Sequence, residues 1–409
     1  MRCGLIGERL GHSHSKTLHG LLADYRYDLI ELAPEELGPF LQKGEFDGLN
    51  VTIPYKQAVI PYLRELSPTA RAIGSVNTIV RRPDGALLGD NTDAYGLGVI
   101  AARAGMAFAG EKTLILGSGG TAKTARHVVE AAGGEAVTVS RTGETNYENL
   151  ERHADAAYLI NATPVGMYPR AQAAPVDLAR LPGLRGVAEV IYNPLRTRLM
   201  QQARALGIPC EGGLAMLTYQ AVRACERFTG QPVPPERARA AERALRRAVT
   251  GLALVGMPGA GKSTVGALAA ARLGMPFVDL DREIEKAAGM PIPRIFEAEG
   301  EAGFRRRETE ALRRFALVGG QVIAAGGGVV KSAENRELLR MNCVVVHIRR
   351  ALEKLPTEGR PLSAGGVEGL WRERAGLYAA AADAEIENGA SPEDCARAVE
   401  EAYHEAVCD

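Results

Sequence analysis

Gly256-Met257-Pro258-Gly259-Ala260-Gly261-Lys262-Ser263 is the stretch that decides the fold class of this chain. It fits G-x-x-x-x-G-K-[ST] without mismatch, follows an apolar run at 252–255 and opens a helix-like segment at 264–273. Strand, glycine loop and helix in that order turn backbone N–H groups toward a polyphosphate, with Lys262 as a point charge and Ser263 as a Mg²⁺ ligand. The pattern predicts an ATP-type site formed by Gly259, Ala260, Gly261, Lys262, Ser263 and Thr264. A mere turn between core elements has no need of Lys then Ser at the helix start.

A P-loop domain begins at its first strand, so the residues before 250 must form something else. The length of 409 residues suits two or three domains, and 46% hydrophobic residues supply their cores. The 49 basic and 49 acidic residues balance, leaving no electrostatic footprint for nucleic acid or a membrane surface; small-molecule chemistry is expected. Cys3, Cys210, Cys225, Cys343, Cys395 and Cys408 form no C-x-x-C pair, which reads as reduced thiols of a cytoplasmic protein. Arg2, Glu8 and Arg9 interrupt the first apolar run, predicting a strand rather than a signal peptide, and no run of about 18 apolar residues predicts a membrane span.

A second glycine loop lies upstream. The β-like run Thr113-Leu114-Ile115-Leu116 leads into Gly117-Ser118-Gly119-Gly120-Thr121-Ala122, an alanine-rich helix to 132 and a second strand at 136–139. This is a βαβ unit with a variant dinucleotide fingerprint. An acidic residue after the second strand would hold a ribose 2′-hydroxyl, but here stand Ser140, Arg141 and Thr142. A guanidinium suits a 2′-phosphate, which favours NADP(H) over NAD(H). Prolines at 232, 234 and 235 followed by a charged, alanine-rich helix predict a connector at 232–250.

The first block carries polar clusters at 12–15, 50–56, 74–78 and 89–93. A hydride delivered to a ketone carbon must be matched by a proton on its oxygen, and a lysine held by a carboxylate can supply it. Lys56 and Asp93 are the candidates.

Gly11-His12-Ser13-His14-Ser15, residues 50–56, Ser75-Val76-Asn77-Thr78, Asn91-Thr92-Asp93, the glycine loop, Ser140-Arg141-Thr142, residues 161–167, Tyr192-Asn193-Pro194 and residues 216–221 together resemble the shikimate dehydrogenase family, in family order. The resemblance covers nearly all of 1–247. It implies that Ser13, Ser15, Thr52, Asn77, Asp93, Tyr192 and Gln220 hold the substrate, with Lys56 and Asp93 catalytic. It implies that Gly117, Gly119, Gly120, Thr121, Ala122, Ser140, Arg141 and Thr142 hold NADP, with Gly213 and Met216 on the nicotinamide side. Two departures stand out: Ser140 replaces a usual Asn, and Glu144 and Thr145 occupy the stretch where a second arginine is expected.

Residues 251–409 resemble shikimate kinase. The motifs beyond the phosphate loop are Asp279-Leu280-Asp281, Phe304-Arg305 with Glu308, Gly326-Gly327-Gly328, Gly359-Arg360-Pro361-Leu362 and Arg374-Ala375-Gly376-Leu377-Tyr378. An acceptor with a carboxylate and several hydroxyls needs arginines, an aspartate and close backbone. The resemblance implies Arg305 and Arg374 on the carboxylate, Asp281 on the hydroxyls and as general base, and Gly326, Gly327 and Gly328 against the ring. It also implies Asp279 with Ser263 in the Mg²⁺ shell, and Arg360 on a lid as an ATP-binding and catalytic residue. That lid is short, and no arginine clearly precedes it; Lys354 is the candidate for that place.

The expected architecture is α/β: a substrate-binding domain at 1–98 completed by helices in 213–247, a Rossmann NADP domain at 99–212, and a P-loop domain with a five-stranded parallel sheet at 251–409. The expected activity is NADPH-dependent reduction of 3-dehydroshikimate followed by Mg·ATP-dependent phosphorylation of shikimate. The rivals are a quinate enzyme with NAD, a kinase for another small polyol, and a metabolite sensor with one inactive half. Oligomeric state is left open by the sequence.

Overall fold

The strand Gly251–Val255 is buried along its whole length, as the centre of a parallel sheet covered on both faces must be. The computed structural model describes residues 1–11, 13–355, 366–389 and 391–408. The chain divides into two units, Met1–Tyr192 with Thr197–Leu245, and Asn193–Arg196 with Arg246–Asp409.

In the second unit five parallel strands lie in the order Phe277–Asp279, Val322–Ala324, Gly251–Val255, Cys343–Arg349, Ala384–Glu387. The expected five-stranded parallel sheet is therefore present. The first strand is central, so the chain winds to one side and then the other, and a crevice opens at its carboxyl end. The phosphate loop sits there and feeds the helix Lys262–Leu273. The helical stretch Ile292–Ala316 is broken at Gly300, whose φ of 67° suits a residue without Cβ. Phe296 and Phe304 stack across the break with ring centroids 4.8 Å apart, and Arg307 meets Glu299 at 2.7 Å.

The first unit contains two sheets. One is mixed, with six strands in the order Arg26–Glu31, Arg2–Gly7, Gly48–Val51, Thr78–Arg81, Leu87–Asp90, Glu65–Leu66. The strands at 48–51, 78–81 and 87–90 pair antiparallel, and the rest pair parallel. The other sheet is parallel throughout, in the order Cys210–Glu211, Gly186–Glu189, Tyr158–Asn161, Lys112–Leu116, Glu135–Val139. Its reversal of direction falls beside Lys112–Leu116, where the dinucleotide loop was expected.

Helices Asp93–Arg103 and Gly213–Thr229 pack closely. A Cβ on Gly96 would stand 2.5 Å from the Met216 carbonyl oxygen and 3.2 Å from the Gln220 nitrogen, so only glycine permits this approach. The helix from Asp93 runs unbroken through the expected division at 98/99. Residues 232–250, expected as a connector, are mostly the helix Pro235–Val249, which buries Ala238, Ala241, Glu242 and Leu245. Glu242 accepts from both terminal nitrogens of Arg103, at 2.6 and 2.8 Å. Among the described residues no helix is long and apolar enough to cross a membrane.

The bidentate pair makes Glu242 a structural anchor, because removing it leaves a partly buried guanidinium without its main partner. Glu242→Ala is expected to destabilise the first unit by about 1–3 kcal/mol, a fall of several degrees in its calorimetric Tm. An unchanged Tm would show that the helix docks through its alanine face alone.

Two candidate active sites

Lys56 lies just beyond the buried strand Gly48–Val51, and Asp93 opens the helix behind Leu87–Asp90, two strands that flank Thr78–Arg81. Their side chains meet at 2.6 Å, Nζ to Oδ2. The other Asp93 oxygen accepts from Asn77 Nδ2 at 2.9 Å. Asn77 is itself held, since its Oδ1 accepts the Thr92 backbone N–H at 2.7 Å. Each polar group is thus fixed by the one behind it, which leaves the lysine ammonium oriented.

A cavity of about 490 Å³ surrounds the pair, and Ser13, Ser15, Thr52, Asn77, Tyr192, Gln220, Gly213 and Met216 all line it. Every residue expected on the substrate or nicotinamide side is therefore brought together. Arg9 and His14 line it too, and the motifs of the sequence assign a role to neither. His14 packs edge-on to Tyr192 at 6.2 Å, and burial lowers its imidazole pKa.

The dinucleotide loop lies between Lys112–Leu116 and the helix Gly120–Ala131. Gly117 has φ of 107°, and a Cβ on it would come within 3.1 Å of the Ala162 carbonyl. Added Cβ atoms on Gly119 and Gly120 would meet nothing, so the helix start, with Thr121 and the buried Ala122, presents an open cradle that fits a pyrophosphate. Ser140, Arg141 and Thr142 come directly after the strand Glu135–Val139, with Arg141 exposed. Beneath the next strand ends Glu189 is fully buried and accepts from Asn161 at 3.0 Å, Thr197 at 3.0 Å and the Ile191 N–H at 3.1 Å. Burial pushes its carboxyl up to about 7 despite these donors.

In the second unit a cavity of about 600 Å³ is lined by Gly259, Gly261, Lys262, Ser263, Thr264, Asp279, Asp281, Arg305, Gly326, Gly327, Gly328 and Arg374. Ala260 is buried behind it, and its carbonyl accepts from Asn388 Nδ2 at 2.8 Å. Lys262 Nζ donates to the carbonyls of Gly256 and Met257, at 2.9 and 3.0 Å. Asp279 lines the cavity and also caps the helix Leu280–Ala288. Burial pushes the Asp281 carboxyl above the usual range, with Lys262 opposing. Arg360 lies outside the described residues.

The triple glycine has a spatial reason. A Cβ on Gly326 would fall 2.8 Å from Glu308 Oε1 and 2.9 Å from Asp281 Oδ1, and one on Gly327 2.7 Å from the Pro258 ring. One on Gly328 would overlap the Arg305 guanidinium. Arg305 is steered by Glu308, at 2.7 Å, and buried Arg374 donates to the Gly327 carbonyl at 3.3 Å. Tyr378 also bonds that carbonyl. Lys354, expected to replace a missing arginine, is not among the described lining residues; Arg350 is, and it donates to the Gly259 carbonyl at 3.2 Å. The signal was the pair Arg349-Arg350 at a strand end, the same position after a strand that drew attention to Arg141.

Known proteins share these features. Residues 5–79 match the family model "Shikimate dehydrogenase substrate binding domain", 213–241 "Shikimate 5'-dehydrogenase C-terminal domain", and 258–404 "Shikimate kinase". A shikimate dehydrogenase (NADP(+)) of Geobacillus kaustophilus is 36% identical over 258 residues, spanning 56% of this chain and 92% of the relative. The chain belongs to the shikimate dehydrogenase family, and it carries a shikimate kinase domain.

The dehydrogenase part also resembles solved structures. The Thermus thermophilus shikimate 5-dehydrogenase in complex with NADP(H) and shikimate has 29% identity and a TM-score of 0.55, over 60% of this chain and 99% of that one. The chorismate mutase/shikimate 5-dehydrogenase fusion of Clostridium acetobutylicum has 31% identity and a TM-score of 0.56, over 59% and 96%.

The kinase cavity yields a direct test. Gly328→Ala pushes the Arg305 guanidinium aside without touching the phosphate loop, so the KM for the phosphoryl acceptor is expected to rise about tenfold with the KM for ATP little changed. Equal effects on both would show that the turn shapes the whole cavity rather than the place of Arg305.

Proposed function

We infer that the chain is a bifunctional enzyme of the shikimate pathway, serving aromatic amino acid biosynthesis. Its first unit reduces 3-dehydroshikimate to shikimate with NADPH, and its second phosphorylates the 3-hydroxyl of shikimate with Mg·ATP. One observation carries this reading: a match over 92% of a shikimate dehydrogenase and a shikimate kinase domain occur on one chain, and the first reaction's product is the second's substrate. A quinate enzyme using NAD is disfavoured by Ser140 and Arg141 where an acid would be needed. A sensor with one dead half is disfavoured because Lys56, Asp93, Lys262 and Asp281 are all in place.

In the first site, bound NADPH supplies the hydride. Lys56 is proposed to donate the proton to the carbonyl oxygen, with Asp93 holding the ammonium in line and Asn77 fixing the carboxylate. Ser13, Ser15, Thr52, Tyr192 and Gln220 are proposed to orient the hydroxyls and carboxylate. Gly213 and Met216 would face the nicotinamide, and the glycine loop with Arg141 would hold the phosphates. In the second site Lys262 is proposed to stabilise charge on the transferring group, and Asp281 to accept the hydroxyl proton. Arg305 and Arg374 would anchor the carboxylate, and Ser263 and Asp279 would hold Mg²⁺. Arg360 is kept as a proposed lid residue. The proposed division is 1–98 with helices from 213–247 for substrate, 99–212 for NADP and 251–409 for the kinase. The equal charge counts support small-molecule partners rather than nucleic acid or a membrane surface, and the separated cysteines support a cytoplasmic location.

The test is to supply the protein with 3-dehydroshikimate, NADPH and Mg·ATP and identify products by mass, expecting shikimate 3-phosphate. Lys56→Ala should slow reduction by about a hundredfold or more while added shikimate is still phosphorylated. Lys262→Ala should do the reverse, accumulating shikimate. Loss of both activities in either variant would contradict the separate assignments.

Arg141→Ala probes the cofactor choice. It is expected to weaken NADPH binding by about tenfold while leaving NADH binding nearly unchanged, as loss of a charged hydrogen bond to one phosphate requires. An equal loss for both nucleotides in fluorescence titration would remove Arg141 from the 2′-phosphate.

A further inference from the structure

Glu189 ends the strand Gly186–Glu189 with no exposed surface, and neither proposed reaction uses it. Its two oxygens are met by donors only. Asn161 Nδ2 stands 3.0 Å from both, the Ile191 N–H donates to Oε1 at 3.1 Å, and the Thr197 hydroxyl donates to Oε2 at 3.0 Å. The Asn161 amide cannot turn round, because its Oδ1 accepts the Thr163 N–H at 3.1 Å and the Thr163 hydroxyl at 2.7 Å. A peptide N–H is fixed as a donor, and the Thr197 oxygen also accepts the Met200 N–H at 3.3 Å. Such a set calls for the ionised carboxylate, which only accepts. Burial opposes that form and brings the balance up to about 7, so the protonation state of Glu189 changes near neutrality.

Among the described residues no cation bonds Glu189. On the helix Asp93–Arg103, which packs against its strand, Asp93 is taken by Lys56, Arg103 by Glu242, and Tyr95 lies under Arg223. On the helix Arg198–Ala205, Arg198 donates to the Gln172 carbonyl and Arg204 is exposed. On the flanking strands the Tyr158 hydroxyl accepts the Ala107 N–H, and the Cys210 thiol is pushed up by burial and then by Glu189 and Glu211. The charge on Glu189 is therefore balanced by neutral donors alone.

Those donors lead to two sides of the expected cofactor site. Thr163 Oγ1 accepts the Val165 N–H at 3.2 Å, and this loop lies against the dinucleotide turn, where a Cβ on Gly117 would stand 3.1 Å from both the Ala162 oxygen and Thr163 Cγ2. The Ile191 carbonyl accepts the Gly213 N–H at 3.1 Å, and Val190, Tyr192 and Gly213 line the cavity around Lys56. Glu189 is not in that lining and acts through Asn161 and Ile191.

We propose that Glu189 is a positioning residue for the dinucleotide, locking the 161–165 loop and the 190–192 turn so that the cofactor is bound tightly only while this carboxylate carries no proton. The proposal rests on the dehydrogenase reading above and adds a residue to it.

The experiment titrates NADP⁺ into the full chain by calorimetry from about pH 5.5 to about pH 8.5, in buffers of different ionisation heat, for the wild type, Glu189→Gln, Glu189→Asp and Thr163→Ala. The 2′-phosphate of the ligand ionises alike throughout, so differences between the proteins report the network. Gln places an NH₂ among donors and so imitates the protonated acid at every pH. As the pH falls through about 7, wild-type affinity is expected to drop about five- to tenfold more than that of Glu189→Gln. Wild-type binding near neutrality should also release more protons, because a ligand that favours the ionised form must expel the proton. Glu189→Asp keeps the charge and should retain the pH break, and Thr163→Ala, which cuts the link to the loop, should weaken binding about threefold above the break. Identical pH profiles and proton release in the wild type and Glu189→Gln overturn the proposal. Should Glu189→Gln fail to fold, wild-type affinity and an undiminished pH break in Thr163→Ala overturn it instead. A wild type that binds no NADP⁺ at any pH overturns the dehydrogenase reading itself, which is a distinct result from tight binding that ignores Glu189.

Discussion

A parallel sheet covered on both faces leaves polar chemistry one place to go, the loops at the carboxyl ends of its strands. Gly251–Val255 has no exposed residue, and Lys112–Leu116 is buried after its first. Each strand leads into a glycine turn and a helix start, where backbone N–H groups are unsatisfied by the helix itself. In the second unit Asp279, the 326–328 turn and Arg350 all stand at or after strand ends of the same sheet. The kinase cavity is therefore a consequence of winding direction, and the residues proposed to be catalytic are the tenants of that crevice.

Around both cavities the chain sets charge in opposed groups. Arg305 with Glu308, and Lys56 with Asp93, keep each ion near a counter-ion, which a low-dielectric wall requires. The raised pKa values of Asp281 and Glu308 have burial as their largest cause, opposed by Lys262 and Arg305. Glycine then sets the approach distances. Gly96 lets the helix bearing Asp93 close on the helix bearing Gln220, and the 326–328 turn leaves room for Arg305, Asp281 and Glu308.

Much of this was legible in the residues. The phosphate loop, the dinucleotide turn and their flanking strands were placed within about two residues, because each is a local pattern whose backbone conformations derive from glycine content and apolar runs. Arg350 was not, since Lys354 stands nearer the lid in sequence and nothing local says which cation turns inward. Arg9 reads in the sequence only as a charge interrupting an apolar strand. The helix Pro235–Val249 looks like a linker because its composition is charged, yet its 3.6-residue spacing hides a buried face of Ala238, Ala241, Glu242 and Leu245.

The sequence by itself determined the chemistry of each half and the order of its elements, since motifs such as 256–263 work through neighbours in the chain. Only the tertiary structure decided which distant groups meet: Lys56 with Asp93 and Gln220 around one cavity, and Arg305 with Gly328 in the other. Those meetings depend on strand order and on how closely helices approach. Both are fixed by the packing of the whole core, and no local run of residues encodes them.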